Sequence, residues 1–310
     1  MKAIAIDTFG GVDTLHEIEL EIPQVGSDQV LIAVKAVSVN PIDTKIRAGL
    51  MLGFPNKHFP KILGRDVAGD VIAVGSAVSK FKIGDRVVGD PAPKDQGTYS
   101  EFTVVPQNRL AKFPDSIDYE SAATLPTAAA TAYQGLFIHG NLKQGQRVLI
   151  HGGMGGVGSI AIQLAHQVGA FVITTASTKN HDRLLELGAD VVIDYHTTQF
   201  ETVVSNIDLV FDTIGNDTQI KSIDVLNKTG SIVTIVGKVV ESDKVRFFSN
   251  KSSVEVLEAL VARLDDGSLH PIIGEIVPMS VEAIRDAHEK IERKQTNGKI
   301  VLINDTSNIL

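Results

Sequence analysis

The sequence predicts an α/β chain of two domains, with a doubly wound parallel sheet inserted between two pieces of a β-rich domain. Three observations carry this expectation. Residues 1–115 consist mainly of β-rich runs bounded by Gly, Pro, Asp and Ser. From about residue 115 to about 266, branched apolar runs of four to eight residues alternate with helical patterns, as βαβ units do. The length of 310 residues suits about two domains at the usual ~100–200 residues each. The expected boundaries are 1–118 with 267–310 for the β-rich domain, and 119–266 for the inserted one.

Along the chain, the opening apolar run meets Asp7 without a small-residue cleavage signal, so it is expected to be a strand rather than a secretory leader. Residues 18–22, 30–37 and 71–74 read as strands, and Gly84-Asp85 is a turn signal before a strand at 86–88. Residues 148–150, 171–175, 191–193, 207–211 and 231–236 carry branched residues on successive positions, as in strands buried on both faces of a parallel sheet. A helix over 251–265, a strand over 272–277, a helix over 281–293 and a last strand over 299–303 complete the chain. Residues 148–178 contain no Asp, Glu, Lys or Arg and are long enough to span a bilayer. A glycine-rich turn in the middle of that stretch would break a membrane helix, so it is expected to be buried soluble structure.

Composition narrows the chemistry. Hydrophobic residues make up 43% and charged residues 21%, which argues against disorder. The absence of cysteine excludes disulfides, Cys-bound zinc, iron–sulfur clusters and thiol nucleophiles. Twenty-nine basic against 37 acidic residues give a net charge of −8, which disfavours nucleic-acid binding through overall charge. A phosphate ligand must therefore be held by a local arrangement.

Such an arrangement follows the strand at 147–150. Gly153, Gly155 and Gly158 fit G-x-G-x-x-G between a strand and a helix, with a second strand within about 30 residues. The first glycine suits the tight turn, and the second lets the backbone, with Met154, Gly156 and Val157, approach a pyrophosphate. The third allows close helix–strand contact. A helix N-terminus offers unpaired N–H groups to the anion. Enzymes that use NAD place an acid at the tip of the second strand, about 20 residues on. Here the tip carries Ser177, Lys179 and His181, and the first carboxylate is Asp182, expected in the next helix. Hydroxyls and a lysine suit a 2′-phosphate, so NADP(H) is the expected cofactor. The alternative is that Lys179 and His181 are ordinary loop residues.

Several segments in order resemble the medium-chain dehydrogenase/reductase superfamily over almost the whole chain. They are Ser38-Val-Asn-Pro-Ile-Asp43 with Ile46-Arg-Ala-Gly49, the stretch from Gly64-Arg-Asp to Gly75, and Phe81-Lys-Ile-Gly-Asp-Arg-Val87. Gly97-Thr-Tyr-Ser-Glu-Phe102, Leu125-Pro-Thr-Ala128 and Gly298-Lys-Ile-Val-Leu302 are also similar. The resemblance implies a Rossmann nucleotide domain and a GroES-like catalytic domain, with the active site in the cleft between them. It departs from the zinc enzymes of the superfamily. Asn40 stands where the first Cys ligand would be, Arg65 stands in place of the Gly-His-Glu histidine, and the region of Leu125-Pro-Thr127 supplies no Cys. No catalytic metal is therefore expected. What remains resembles the zinc-free quinone oxidoreductase and alkenal/enone reductase branch, which implies NADPH as hydride donor, a quinone or enone acceptor and a homodimer. A cytoplasmic location goes with this reading, and no membrane or nucleic-acid partner is expected.

In that chemistry an oxygen of the acceptor gains negative charge as hydride arrives, so preorganised donors supply much of the catalysis. The candidates for polarising a carbonyl are Asn40, Arg47 and Tyr99. Each has a plain alternative: a turn residue before Pro41, a surface ion pair, and a packed strand residue. Asp43 is expected to brace the turn or cap the following helix. By resemblance, Thr127 lies near the nicotinamide or only starts a helix, and Tyr195 packs against the adenosine phosphate or only closes a strand. Also by resemblance, Asn297-Gly-Lys299 approaches the nicotinamide side from the tail. Residues 49–59 and 240–249 are candidate pocket walls, the second alternatively a strand edge used for dimer formation. Two other readings stand beside the reductase. One is an NADPH-binding sensor or structural protein with little turnover. The other, reduction of simple ketones, is weakened by the missing zinc ligands.

Overall fold

The computed structural model describes residues 1–51, 58–93 and 96–304. The chain divides into two compact units, Met1–Thr127 with Ser252–Leu310, and Ala128–Lys251. Along the first stretch run β1 (Lys2–Ile6), β2 (Leu15–Glu19), β3 (Gln29–Val39), α1 (Pro41–Arg47), β4 (Lys61–Ile62), β5 (Val67–Val74), β6 (Arg86–Gly89), β7 (Phe102–Pro106), β8 (Leu110–Lys112) and α2 (Tyr119–Ala123). The second unit holds α3 (Ala130–Tyr133), β9 (Arg147–Ile150), α4 (Gly156–Gln167), β10 (Phe171–Ala176), α5 (His181–Glu186), β11 (Val191–Asp194), α6 (Phe200–Val203), β12 (Ile207–Asp212), α7 (Asp217–Ser222), β13 (Leu226–Thr234) and β14 (Val245–Phe247). The chain then returns to the first unit with α8 (Val254–Asp265), β15 (Ile273–Pro278), α9 (Val281–Glu292) and β16 (Lys299–Ile303).

In the first unit, β15-β16-β3-β5-β6-β8 form one sheet, β7 pairs with β3, and β2-β1-β4 form a second, smaller sheet. The long strand β3 alternates its partners along its length. Its C-terminal half pairs antiparallel with β16, Val39 opposite Ile300 and Val37 opposite Leu302, so the tail of the chain lies beside the turn that starts α1. Ile32, Val34, Val37, Val67, Val87, Tyr99 and Leu302 belong to one buried cluster. Helix α2 packs on β3 and β5, and α8 packs on β8, so both flanks of the expected inserted domain fall in this unit. Tyr119 of α2 donates to Asp70 on β5 at 2.6 Å.

The second unit is one parallel sheet in the order β11-β10-β9-β12-β13-β14. That is the doubly wound 3-2-1-4-5-6 order of a dinucleotide fold, with a switch point between β9 and β12. Leu149, Ile173, Val210 and Ile232 form its core, which accounts for the branched runs in the sequence. The segment 240–249 contributes the edge strand β14. Of the other candidate pocket wall, 49–59, residues 52–57 lie outside the described residues. No described helix is long and apolar enough to cross a membrane.

Candidate active site

In the second unit the glycine turn joins β9 to α4 directly below the switch point. Gly152 takes the left-handed conformation that folds the chain back, with φ +73°. Its neighbour Gly153 donates its N–H to Thr175 O at 3.1 Å. A Cβ on Gly153 would stand 2.3 Å from Thr174 Oγ1, and one on Gly158 would stand 2.2 Å from the carbonyl oxygen of Gly152. Gly153 lets the turn close on β10, and Gly158 lets α4 close on the turn. Gly155 differs: a Cβ there would meet only the Gly152 oxygen, at 3.3 Å. It is the N-cap of α4, extended, with no side-chain cap and no acid in the first turn. The helix start thus carries no side-chain cap and no acid, and its N–H groups suit a pyrophosphate. The residues fit a dinucleotide.

At the tip of β10, Ser177 leads into a single turn of 3₁₀ helix, Thr178–Asn180, and α5 starts at His181. Asn180 Nδ2 donates to Ser177 Oγ at 3.2 Å. Lys179 is exposed at the crest of the turn, and Tyr195, just past β11, is exposed and tilted over His196. Asp182 sits inside α5 as expected. A second carboxylate arrives from the neighbouring strand: Asp194 pairs in register with Ala176 and accepts from the N–H and the hydroxyl of Thr178. The Thr178 hydroxyl bond comes first among the causes that hold the Asp194 carboxyl below the usual carboxylate range. Below the turn, His151 is buried between Thr175 Oγ1 at 3.3 Å and Ser222 Oγ at 2.9 Å, and burial lowers its pKa to about 4. It is a neutral packing residue.

In the first unit, buried Asn40 and Tyr99 and half-buried Thr127 come together in one polar network. Pro41 at the first position of α1 sets the start of the helix, and Asp43 accepts the Asn40 N–H at 2.8 Å. The Asn40 amide is engaged at both ends. Its Nδ2 donates to Ser38 O at 3.0 Å and to Asp66 Oδ2 at 2.8 Å, and its Oδ1 accepts from Lys299 Nζ at 2.5 Å. Lys299 also donates to Val39 O at 3.0 Å. Asp66 further accepts from Ser38 Oγ, and from Thr127 Oγ1 at 2.5 Å. Thr127 lies in a π-helical turn, Leu125–Ala129, where Pro126 has no N–H to give a regular helix.

Tyr99 is fully buried, its hydroxyl donating to Asp43 Oδ2 at 3.3 Å and lying 3.3 Å from His288 Nε2 of α9. Arg47, 2% exposed, pairs with Glu292. Burial, reinforced by the charge of Asp66, raises the Asp43 pKa to about 7. Burial also drives the Tyr99 hydroxyl well above its ordinary value, and lowers His288 to about 3 with help from Arg47. Asn297 is exposed, one residue before Gly298 and two before Lys299. The sequence alone does not mark Asp66 and His288 as members of the site, and marks Lys299 only through the segment Asn297-Gly-Lys299. Asp66 and Lys299 lie inside the family-like segments, whereas His288 is 189 residues from Tyr99 and carries no local signal.

The donor set of this network does not fit zinc. At the first ligand position is a carboxamide already bonded to a lysine ammonium, and at the second is Arg65, whose guanidinium donates to Asp90 and to Pro91 O. The Thr127 hydroxyl donates to Asp66 rather than offering a thiolate. Two fixed cations, Lys299 and Arg65, act on the Asp43 carboxyl.

Comparison with known proteins agrees with both halves. Residues 26–115 match the family described as alcohol dehydrogenase GroES-like domain, and residues 187–302 match the one described as zinc-binding dehydrogenase. The chain is 37% identical to a 2-methylene-furan-3-one reductase of Solanum lycopersicum, covering 97% of this chain and 79% of the relative. It is likewise 37% identical, with the same coverage, to a chloroplastic NADPH-dependent alkenal/one oxidoreductase of Arabidopsis thaliana. The structure of a quinone oxidoreductase from Coxiella burnetii superposes with a TM-score of 0.91 at 36% identity, covering 98% of this chain and 99% of that one. The chain belongs to the medium-chain dehydrogenase/reductase family, in its quinone and alkenal oxidoreductase group.

Proposed function

We propose that the chain is an NADPH-dependent oxidoreductase that reduces quinones or α,β-unsaturated carbonyl compounds without zinc. The observation that carries this reading is the uncapped N-terminus of α4 at Gly155, paired with a β10 that carries no acid of its own at the tip and presents Ser177 and Lys179. When bound, NADPH supplies the hydride. The chain's own residues do the rest. The first-turn amides of α4, from Gly156 and Val157, hold the pyrophosphate beside Gly153 and Met154. Ser177, Lys179, His181 and Tyr195 surround the 2′-phosphate. Thr127 and Asn297 serve the nicotinamide end, Thr127 with its hydroxyl fixed by Asp66.

To Asn40, Arg47 and Tyr99, the candidates for polarising a carbonyl, we assign a supporting part. Each directs its polar atoms into the fold: Asn40 to Lys299 and Asp66, Arg47 to Glu292, and Tyr99 to Asp43. They hold the turn before α1 and, through Asp66, the Thr127 hydroxyl. We also propose a homodimer, for which the edge strand β14 with half-exposed Phe247 offers a pairing surface, and a cytoplasmic location where NADPH can be drawn on. Sedimentation and cell fractionation test these two assignments.

The second reading is a protein that binds NADPH and turns over little. The experiment that separates the two is to mix the protein with NADPH and follow nicotinamide absorbance while quinones, enones and enals are added. The reductase consumes NADPH with members of that panel. Tight binding without consumption across the panel favours the second reading.

A further inference from the structure

Asp194 occupies a telling place. It ends β11 and pairs in register with Ala176, the last residue of β10. Enzymes that select NAD keep a carboxylate at the tip of that second strand to accept from the ribose 2′-hydroxyl. This chain has no acid on β10 itself, yet brings one alongside from the next strand.

That carboxylate is engaged elsewhere. Its Oδ2 accepts from the Thr178 N–H at 2.9 Å and from the Thr178 hydroxyl, and its Oδ1 accepts from the His196 N–H at 2.8 Å. The main chain around it is fixed as well, with the N–H groups of Thr197 and Thr198 bonded to the Asp194 carbonyl at 3.2 and 2.9 Å. Beside it, Ser177 Oγ accepts from Asn180, which leaves its own proton to donate, and Lys179 and Tyr195 stand exposed.

We propose that the Thr178–Asp194 pair determines cofactor choice. By tying down the Asp194 carboxylate, the Thr178 hydroxyl turns an acid-bearing tip into one that accepts a 2′-phosphate. The proposal rests on the NADPH reading above. It makes Thr178 and Asp194 positioning residues, acting through the shape and charge of the tip rather than as ligands. Without the hydroxyl bond, the carboxylate keeps its charge and is held by two donors in place of three, the N–H groups of Thr178 and His196, so it can turn towards the ribose. There it would repel a 2′-phosphate and accept from a 2′-hydroxyl.

The test uses the full chain and dissociation constants for NADPH and NADH, measured by calorimetry without any acceptor. The parent is measured first, then Thr178→Val, Thr178→Ser and the double variant Thr178→Val/Asp194→Ala. The proposal expects the preference for NADPH over NADH to fall about tenfold in Thr178→Val, a change of about 1.4 kcal/mol. It expects Thr178→Ser to keep the parental preference, and the double variant to recover it. If Thr178→Val weakens both cofactors alike, or leaves both unchanged, the pair is only structural and the proposal is overturned. It is overturned too if the serine variant behaves like the valine one, or if the double variant stays as low as the single. A parent that binds NADH more tightly than NADPH overturns the cofactor reading itself, and the proposal with it.

Discussion

Lys299 Nζ donates to Asn40 Oδ1 at 2.5 Å, joining the last strand to the turn before α1 across 259 residues of chain. The bond places a buried ammonium beside the carboxylates of Asp66 and Asp43, which oppose the fall that burial imposes on the lysine pKa. Lys299→Met leaves those acids without this buried cation and Asn40 Oδ1 without its donor. The expected cost is about 3 kcal/mol or more, because a buried charge loses its compensation. Urea unfolding of parent and variant measures it. A cost under ~0.5 kcal/mol, the range of ordinary surface changes, would contradict the assignment.

Asp43 and His288 give opposite pH dependences. The folded Asp43 pKa of about 7 lies above its ordinary 3.8, so the folded state binds the proton more tightly and stability falls as pH rises between those values. The folded His288 pKa of about 3 lies below its ordinary 6.5, so stability falls as pH drops through that window. In Asp43→Asn only the limb that falls with rising pH is removed. The amide retains an acceptor for Asn40 N–H and Tyr99, and its NH₂ replaces Asp43 Oδ1, which makes no hydrogen bond. Relative to the parent, this variant should gain a few kcal/mol of stability between about pH 4 and pH 7. His288→Gln removes the other limb, and relative to the parent should gain stability as pH falls from about 6.5 towards 3. Unfolding free energies across pH check both, and a pH-independent difference would count against the buried network.

Gly155 and Gly158 should separate binding from folding. A Cβ on Gly158 meets the Gly152 backbone at 2.2 Å, so Gly158→Ala must push α4 from the turn that follows β9 and should cost roughly 1–3 kcal/mol. At Gly155 the nearest atom, the Gly152 carbonyl oxygen, is 3.3 Å away and has to give by only a few tenths of an ångström, so the alanine variant should lose much less stability than Gly158→Ala while its methyl intrudes on the pyrophosphate ground. Melting temperature and NADPH affinity, measured on both variants, should move independently. Equal loss of both quantities in Gly155→Ala would show that this glycine, too, is structural.

Lys179 is exposed at the crest of the 178–180 turn, so its removal should not disturb the sheet. Lys179→Ala is expected to weaken NADPH about tenfold and leave NADH unchanged. Unchanged NADPH affinity would remove the lysine from the 2′-phosphate site.

Features made by neighbouring residues are legible in the sequence. The strand, glycine turn and helix of 147–167 form one local unit, and the branched runs around Val148, Ile173 and Val210 announce a sheet buried on both faces. Strand ends are less so. The run at 18–22 predicts a strand that in the structure ends at Glu19, because its partner β1 starts at Lys2 and pairing ends with Met1, whose carbonyl accepts from Leu20 N and whose amino group donates to Leu20 O. The site is legible as a set of residues but not as a set of contacts. Asn40 reads as a donor for a substrate, and nothing near it in sequence reveals that its Nδ2 donates to Asp66, 26 residues on. The pairing of Thr178 with Asp194 likewise arises only when two parallel strands align, 16 residues apart. Tertiary hydrogen bonds of this kind depend on register, which local composition does not encode.

Hydride transfer from NADPH to a conjugated carbonyl needs no metal if the chain works as proposed. NADPH absorbance, followed with chelator-treated protein and a panel of quinones, enones and enals, puts this to the test. The expected result is consumption of NADPH with members of that panel, undiminished by the chelator. Metal-dependent turnover of a plain secondary alcohol, or tight NADPH binding with no consumption by any acceptor, would contradict it.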